Sequence, residues 1–166
     1  MILTPEPLNA ESFAPFGDVI DTDTAANSFE INYGLTTRYH DMANIDVEEK
    51  GGKVGLSIFS ATAVTLPHTV KVMEYHPYGS QLFYPAGDIP FFILVAPPSE
   101  ILQEEKLALF ISNGTQGVNF NKGTWHHFLL PINESGNKSD FIVVDRIGTD
   151  KNCVEQDVKS EIIIPL

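Results

Sequence analysis

The sequence lacks the features that mark exported or membrane-bound proteins. Cys153 is its only cysteine, so no disulfide can form within the chain, and this composition is compatible with a reducing compartment. The first basic residue is Arg38, whereas secretory signals and mitochondrial transit peptides carry positive charge near the N-terminus. The longest uninterrupted apolar run, Phe91–Ala96, is far too short to span a bilayer. We therefore expect a cytoplasmic location.

Positive charge is also scarce. Ten Lys and Arg residues stand against 22 Asp and Glu residues, which gives a formal net charge of −12. A chain with this charge repels phosphate backbones and anionic lipid headgroups. The composition therefore disfavours binding to nucleic acid or to a membrane surface, and the ordinary interpretation of the acidity is a solvated surface.

The residues that are present describe one ordered domain. The chain has 166 residues, of which 43% are hydrophobic and 19% are charged. A domain of this length buries about two-thirds of its unfolded surface and needs no disulfides. The sequence contains no repeat, low-complexity stretch or linker, so residues 1–166 are predicted to form a single domain.

Short segments that alternate between apolar and polar residues dominate the pattern. Residues 54–64 and 69–75 alternate over strand length, whereas Phe91–Ala96 is apolar on both faces, as in a strand between two layers. Further strand-like segments are 81–84, 107–111, 118–120, 125–130, 141–146 and 161–166. Asn9 and Gly17 bracket one short helical segment. About ten strands with almost no helix predict an all-β antiparallel sandwich or barrel.

A first polar cluster lies in residues 32–41, where Arg38, Tyr39, His40 and Asp41 are consecutive. In an extended segment Arg38 and His40 share one face, and Tyr39 and Asp41 share the other. A guanidinium binds a carboxylate through two parallel hydrogen bonds, which suits a small acid as substrate. The alternative interpretation is an Arg–Asp ion pair that fixes a loop.

Two further clusters match a metal-binding pattern when they are taken together. Small β-barrels of the cupin type carry His-x-His-x4-Glu on one hairpin and Pro-x-Gly-x-x-His on a later one. Here Glu74-x-His76-x4-Gln81 corresponds to the first pattern, and Gly123-x-x-His126 corresponds to the second. Alternate residues of a strand share a face, and a residue beyond the Pro-Tyr-Gly turn can return to that face from the paired strand. We therefore expect Glu74, His76, Gln81 and His126 to face one another inside the barrel.

These four residues leave two interpretations open. Imidazole, carboxylate and amide groups suit a borderline divalent ion such as nickel, manganese or zinc. Only two of the four residues are histidines and Gln81 is neutral, so a hydrogen-bonded polar network without a tightly held metal explains the same pattern.

The remaining candidate residues are predicted to have structural roles. His127 alternates with His126 and should face away from it, and His68, next to a proline, should lie in a loop. Asp145-Arg146 is expected to form a salt bridge across the sheet or to contact a substrate. Cys153 has no neighbouring base, so a nucleophilic role is disfavoured.

These blocks, in this order, resemble the ureidoglycolate lyase family. The resemblance extends from about residue 7 to the C-terminus and rests on residues 32–41, 74–81, 116–127, 143–146 and 152–155. Phe128 departs from the family pattern, which usually has Pro there. The resemblance implies a cupin-like antiparallel β-barrel of the jelly-roll type with a short N-terminal helical segment. It also implies a homodimer, and stimulation by nickel or another divalent ion without an organic cofactor.

The implied reaction splits (S)-ureidoglycolate into glyoxylate and urea in allantoin and purine degradation. In our hypothesis Arg38 binds the substrate carboxylate, in a cluster with Tyr39 and His40. Glu74 or His76 removes the hydroxyl proton, directly or across a metal. His126 protonates the leaving nitrogen, and Gln81 binds the ureido group.

Two alternatives to the lyase remain at this point. One is an amidohydrolase that releases ammonia from the same substrate, and the other is a non-catalytic barrel that binds small carboxylates. The predicted dimer is supported by the apolar segment Ile162–Ile164, since an exposed apolar strand needs a partner. Pairing within the chain would satisfy that segment equally well.

Overall fold

The computed structural model describes residues 1–166 and confirms the all-β prediction. One helix, α1 (Ala10–Phe13), and three single turns of 3-10 helix accompany the strands. The strands are β1 (Glu6–Pro7), β2 (Gly17–Ile20), β3 (Ser28–Ile31), β4 (Thr36–Tyr39), β5 (Lys53–Thr62), β6 (His68–Tyr75), β7 (Gln81–Pro85), β8 (Phe91–Ala96), β9 (Ala108–Ile111), β10 (Gly117–Phe120), β11 (Trp125–His126), β12 (Leu130–Pro131), β13 (Lys138–Ile147) and β14 (Val154–Ile164). The 3-10 turns are Asn32–Gly34, Glu49–Gly51 and Glu104–Lys106. No helix is long and apolar enough to cross a membrane.

Two sheets form the body of the cupin-like fold. The seven-stranded sheet has the order β1-β9-β8-β11-β6-β14, and β12 pairs with β8 beside β11. The five-stranded sheet has the order β2-β10-β7-β13-β5. Strands β3 and β4 form a separate two-stranded hairpin. All strand pairs are antiparallel except β1 with β9.

Strand β8 is buried on both faces, as its unbroken apolar sequence predicts. Phe92, Leu94 and Ala96 belong to one apolar cluster, whereas Phe91, Ile93 and Val95 belong to a second. All six side chains are at most 6% exposed. Because successive side chains of a strand point to opposite faces, β8 joins two hydrophobic cores, one on each side of its sheet.

The N-terminal helical segment forms where the sequence predicts it. Asn9 caps α1, because its side-chain oxygen accepts a hydrogen bond from the Ser12 backbone N–H over 3.0 Å. Phe13 is fully buried and meets the ring of Phe110 edge-on at 5.3 Å. The helix thus places one aromatic anchor in the core and extends for four residues only.

Three local predictions are corrected by the structure. The predicted strand 125–130 is two short strands, β11 and β12, because both pair with β8 but at its opposite ends. His68 lies in β6 rather than in a loop. Ile162 and Ile164 are fully buried against β6, so the C-terminal apolar segment is satisfied within the chain and offers no surface to a second subunit.

Candidate active site

Adjacent strands of the seven-stranded sheet bring three predicted residues together. Glu74 on β6 lies directly opposite His126 on β11, and its carboxylate Oε1 is 3.4 Å from His126 Nε2. His76 follows two residues after Glu74, and its ring centre is 5.1 Å from that of His126. The ligand atoms of these three side chains all lie within 4.8 Å of one another. The spacing in the sequence therefore predicted a real convergence of side chains.

Gln81 reaches the same place from the opposite sheet. It begins β7, which belongs to the five-stranded sheet and does not pair with β6, so the expected return from a paired strand is wrong. Its Oε1 nevertheless lies 3.0 Å from His76 Nε2. The Pro-Tyr-Gly turn therefore connects the two sheets, and the four-residue cluster lies between them.

Backbone carbonyl groups fix the orientation and the tautomer of both imidazoles. His126 Nδ1 donates a hydrogen bond to the Thr124 carbonyl over 3.0 Å. His76 Nδ1 donates to the Asn152 carbonyl over 2.5 Å. Because a carbonyl only accepts, the proton of each neutral ring is on Nδ1, and each Nε2 presents a lone pair.

The facing atoms of the cluster are consequently all acceptors. His76 Nε2 faces the amide oxygen of Gln81, and His126 Nε2 faces the carboxylate of Glu74. The Nε2 atom of His126 is buried and has no hydrogen-bond partner. Lone pairs that meet without a hydrogen between them need a proton or a cation. Two imidazoles with carboxylate and amide oxygens fit a divalent metal, so the donor set is suitable for one.

The surroundings also favour the metal-binding and basic forms of these groups. The neighbouring imidazole of His126 holds the pKa of the Glu74 carboxyl below its ordinary value, although burial opposes this shift. Burial lowers the pKa of His76. A carboxylate and a neutral imidazole are the forms that accept a proton or bind a metal.

A second layer of residues supports this cluster, and the sequence did not predict these contacts. Gln81 Nε2 donates to Asp145 Oδ2 over 3.3 Å, which keeps the amide oxygen of Gln81 turned towards His76. The Cys153 thiol donates to Glu74 Oε2 over 3.5 Å. Asn152 receives the Tyr78 backbone N–H on its side chain over 2.8 Å. Second-layer partners of this kind orient metal ligands and set their basicity.

Arg146 does not form the expected salt bridge across the sheet. Its guanidinium donates to the Glu49 carbonyl through Nε and Nη2, over 3.0 and 2.9 Å, and approaches Asp150 within 3.7 Å. The guanidinium therefore anchors the turn of residues 49–51, whereas Asp145 accepts the hydrogen bond from Gln81. Side chains alternate between the two faces of β13, so the sequence pattern already places Asp145 and Arg146 on opposite faces.

His127 contacts His68 rather than the four-residue cluster. The two imidazole rings meet edge-on at 5.4 Å, and burial lowers the pKa of His127 to about 4. His127 is 5% exposed, so a neutral imidazole packed among apolar groups describes this residue.

The structure does not bring Arg38, Tyr39 or His40 to the cluster. Arg38 and Tyr39 lie on β4 of the exposed β3–β4 hairpin, and His40 follows the end of β4, so the predicted alternation does not continue to His40. The Arg38 guanidinium lies 5.9 Å from the Phe29 ring centre and makes no ion pair, so the alternative Arg–Asp pair is also absent. His40 and Asp41 line a small cavity of about 170 Å³.

The comparison with known proteins matches this geometry to a family. A family model described as ureidoglycolate lyase matches residues 1–165. The chain belongs to the ureidoglycolate lyase family. Proteins named ureidoglycolate lyase from Pseudomonas syringae pv. syringae (strain B728a) and Burkholderia mallei (strain NCTC 10229) are each 46% identical to it, over 90% and 94% of this chain and 86% and 89% of their own lengths. One from Pseudomonas putida (strain W619) is 47% identical, over 90% of this chain and 87% of that protein.

Membership in the ureidoglycolate lyase family confirms the resemblance found in the sequence. The segments that carried the resemblance include the cluster residues Glu74, His76, Gln81 and His126. They also include Asn152 and Cys153, the last two residues of the loop before β14. The Asn152 carbonyl accepts a hydrogen bond from His76, and the Cys153 thiol donates one to Glu74. These two residues therefore contact the cluster directly.

Proposed function

We propose that this protein is a ureidoglycolate lyase, which splits (S)-ureidoglycolate into glyoxylate and urea as a step of allantoin degradation. The family match and relatives of that name at 46–47% identity support the reaction. The observation that carries the proposal is the cluster itself, in which two fixed imidazole lone pairs face a carboxylate and an amide oxygen between the sheets.

The reaction needs proton transfers and no water. One carbon of ureidoglycolate bears a hydroxyl, a carboxylate and the ureido nitrogen. Loss of the hydroxyl proton allows the carbonyl group of glyoxylate to form while the carbon–nitrogen bond breaks. The leaving nitrogen gains a proton, because a urea anion is a poor leaving group. General base and general acid assistance each contribute roughly 10²–10⁴-fold.

The cluster supplies both groups in our proposal. Glu74 or His76 accepts the hydroxyl proton, since each is in its basic form at neutral pH. His126 donates to the leaving nitrogen through Nε2, and the carboxylate of Glu74 3.4 Å away stabilises the imidazolium that this requires. Gln81, held by Asp145, hydrogen-bonds the ureido group.

Glu74, His76, Gln81 and His126 are also the residues that would hold a divalent ion, and nickel is the ion that the family resemblance implies. Such an ion, when bound, polarises the hydroxyl and carboxylate oxygens of the substrate and lowers the hydroxyl pKa. His126 Nε2 cannot bind a metal and donate a proton at the same time. The two roles of His126 therefore belong to different states of the protein.

Arg38 is the carboxylate-binding residue in this proposal, together with Tyr39 and His40. The chain has two arginines, and Arg146 is committed to backbone carbonyls, so Arg38 has the free guanidinium. We further propose that the protein is a cytoplasmic homodimer. The free thiol of Cys153 suits a reducing compartment.

A product assay tests the proposal. Purified protein is incubated with racemic ureidoglycolate, and urea, ammonia and glyoxylate are measured separately against the decay without enzyme. The expected result is equal amounts of urea and glyoxylate, from one enantiomer only. Ammonia without urea would instead identify the amidohydrolase, and ligand binding without product would identify a binding protein. Repeating the assay after chelation and after addition of nickel or manganese tests the metal.

A further inference from the structure

The outer face of the five-stranded sheet is apolar over three strands. Strand β5 is at the edge of this sheet and pairs only with β13. Its alternate residues Val54, Leu56 and Ile58 are 61%, 74% and 68% exposed. They continue in register into two apolar rows, which are Ile58–Ile142–Tyr84 and Leu56–Val144–Leu82. We call this surface the β5–β13–β7 face. A solvated antiparallel sheet carries polar residues on its outer face, so this apolar face is expected to pack against another surface.

The β3–β4 hairpin is the second region of the chain with unburied large side chains. Tyr33 is fully exposed and Leu35 is 87% exposed, and every residue of β4 is exposed. The hairpin forms its own two-stranded sheet. A two-stranded hairpin has little stability alone, so these side chains are expected to pack against another surface.

Glu74 of the four-residue cluster and Asp145, the partner of Gln81, each lie one strand inside an edge of their sheet. Glu74 is on β6, whose outer neighbour is the edge strand β14, and Asp145 is on β13, whose outer neighbour is the edge strand β5. The edge residue paired with Glu74 is Glu155, another carboxylate. No Lys or Arg of the same chain forms an ion pair or hydrogen bond with Glu74, His76 or Gln81. The adjacent carboxylates of Glu74 and Glu155 therefore complement the unpaired cation of Arg38.

We propose that a second copy of this chain covers the β5–β13–β7 face, and that the β3–β4 hairpin of each subunit places Arg38 at the four-residue cluster of the other. The inference rests on the proposed function for the role of Arg38 as the group that binds the substrate carboxylate. A two-fold dimer makes the exchange reciprocal, so each site contains the acid–base residues of one subunit and the guanidinium of the other. Each subunit alone has an incomplete site.

Heterodimers of two defective subunits test this arrangement. Arg38→Ala and His126→Ala subunits carry different affinity tags, are co-expressed, and are purified through both tags. A shared site predicts about half of the wild-type kcat/KM, because one of the two sites is intact in each heterodimer. Both homodimeric variants should retain less than about a tenth of wild-type kcat/KM. A site built from one chain predicts no recovery in the heterodimer and would overturn the proposal.

The reciprocal heterodimer is the matched control. One subunit carries both substitutions and the other is wild type. A shared site predicts almost no activity here, whereas a site within one chain predicts about half of the wild-type value. Glu74→Gln replaces His126→Ala in a second series, so that a folding defect of one buried variant cannot decide the outcome. Thermal unfolding confirms that each subunit is folded.

The covering surface is tested by the mass of the particle. Light scattering should give a dimer of about 37 kDa for the wild type, twice the monomer mass of 18.3 kDa. Leu56→Asp should give a monomer with at least a tenfold loss of kcat/KM. Ile101→Asp, at a residue 66% exposed outside this face, should remain an active dimer. A fully active monomer would overturn the proposal.

These experiments separate the inference from the proposed function. If the wild type forms no urea, the proposed function fails, whether or not the protein is a dimer. If the wild type forms urea and Arg38→Ala is fully active, only the inference about Arg38 fails. If Lys151→Ala raises KM and Arg38→Ala does not, a lysine of the same chain replaces Arg38 in this role and the shared site is wrong.

Discussion

The cluster between the sheets and the β3–β4 hairpin both carry polar candidate residues, but the structure holds these residues very differently. Each imidazole of the cluster has its Nδ1 bound to a carbonyl, and Glu74 and Gln81 each have a supporting partner. In the hairpin, by contrast, Arg38 and Tyr39 are exposed, and Arg38 has no ion pair. Proton transfer and metal binding require fixed atoms, which the cluster has and the hairpin lacks, and we therefore propose these roles for the cluster.

The two regions also differ in what they could contribute to a site, namely fixed acid–base residues and a cation. The cluster is complete in geometry within one chain, but it lacks a cation for an acid substrate. The hairpin carries an unpaired cation, but the structure shows no contact between it and the cluster. In the dimer that we propose, each region supplies what the other lacks. The following predictions test the cluster, the residues that support it and the buried histidine next to it in the sequence.

The largest effect is expected from Glu74→Gln. This change removes the charge that faces His126 Nε2 while it keeps the shape of the side chain. Loss of a general base or of the carboxylate that stabilises the acid lowers kcat by roughly 10²–10⁴-fold. Steady-state formation of urea and glyoxylate measures it. Glu161→Gln on β14, an exposed carboxylate outside the cluster, is the control. Near wild-type turnover of Glu74→Gln would remove Glu74 from the mechanism.

Asp145→Ala should have the next largest effect. Without Asp145 the amide of Gln81 is free to rotate, and its nitrogen can then face His76 in place of its oxygen. Loss of a second-layer partner costs about 10–100-fold in metal affinity or activity. Titration calorimetry with nickel or manganese measures the affinity, and kcat/KM provides the second readout.

Asp145→Asn distinguishes positioning from a structural role. The Asn side-chain oxygen can accept the same hydrogen bond from Gln81, so most of the metal affinity should return. Equal losses in Asp145→Ala and Asp145→Asn, with unchanged thermal stability, would contradict the positioning role and would point to the charge of Asp145 instead.

A smaller effect, on stability rather than on activity, is expected at His127. Burial lowers its pKa to about 4, below the ordinary value of 6.5, so the unfolded chain binds more protons between these two pH values. The stability that the neutral ring provides is therefore present above pH 6.5 and is lost as pH falls towards 4. The expected loss between pH 7 and pH 4.5 is about 2–3 kcal/mol.

Urea unfolding at the two pH values measures this loss. His127→Asn keeps a donor near the Phe128 carbonyl, which His127 Nδ1 contacts over 3.1 Å, and removes the titrating ring. Its free energy of unfolding should change less with pH than that of the wild type, because the other titrating groups are common to both proteins. Identical pH dependence in the two proteins would show that His127 is not responsible.

The smallest effect is expected from Cys153→Ala. The thiol is a weak donor to Glu74, so kcat/KM should fall less than about fivefold. Burial raises the pKa of Cys153 to about 11, so little thiolate exists at pH 8. Alkylation by iodoacetamide, followed by mass spectrometry, should be much slower in the folded protein than in urea. Rapid alkylation of the folded protein, or complete loss of activity in Cys153→Ala, would contradict this assignment.

Local sequence patterns were sufficient for the all-β class and for the members of the cluster, although β1, β3, β4 and the first part of β14 were not predicted. Alternation with a period of two indicates a strand whatever it pairs with, and β8 shows that an unbroken apolar run indicates burial on both faces. Glu74 and His76 could be assigned to one cluster because their separation of two residues is a property of the strand itself. The same reasoning correctly placed a short helix after Asn9.

Long-range pairing decided the rest, and no local pattern contains it. The sequence placed Gln81 on a strand paired with β6, but the turn before it crosses to the other sheet. The sequence left Ile162–Ile164 open to a dimer interface or to pairing within the chain, and it pairs with β6, while an exposed apolar surface is on β5. Asp145 and Arg146 acquired opposite roles only through the strands and turns that pack around them.

The sequence alone determined that this protein is an all-β member of its family in which Glu74, His76, Gln81 and His126 come together. Residue type and spacing encode which side chains a strand turns to the same side. The tertiary structure alone decided which sheets face each other, which carbonyls fix each imidazole, and that Arg38 lies on an exposed hairpin. These properties depend on strand order and register, which arise from packing between residues far apart in the chain.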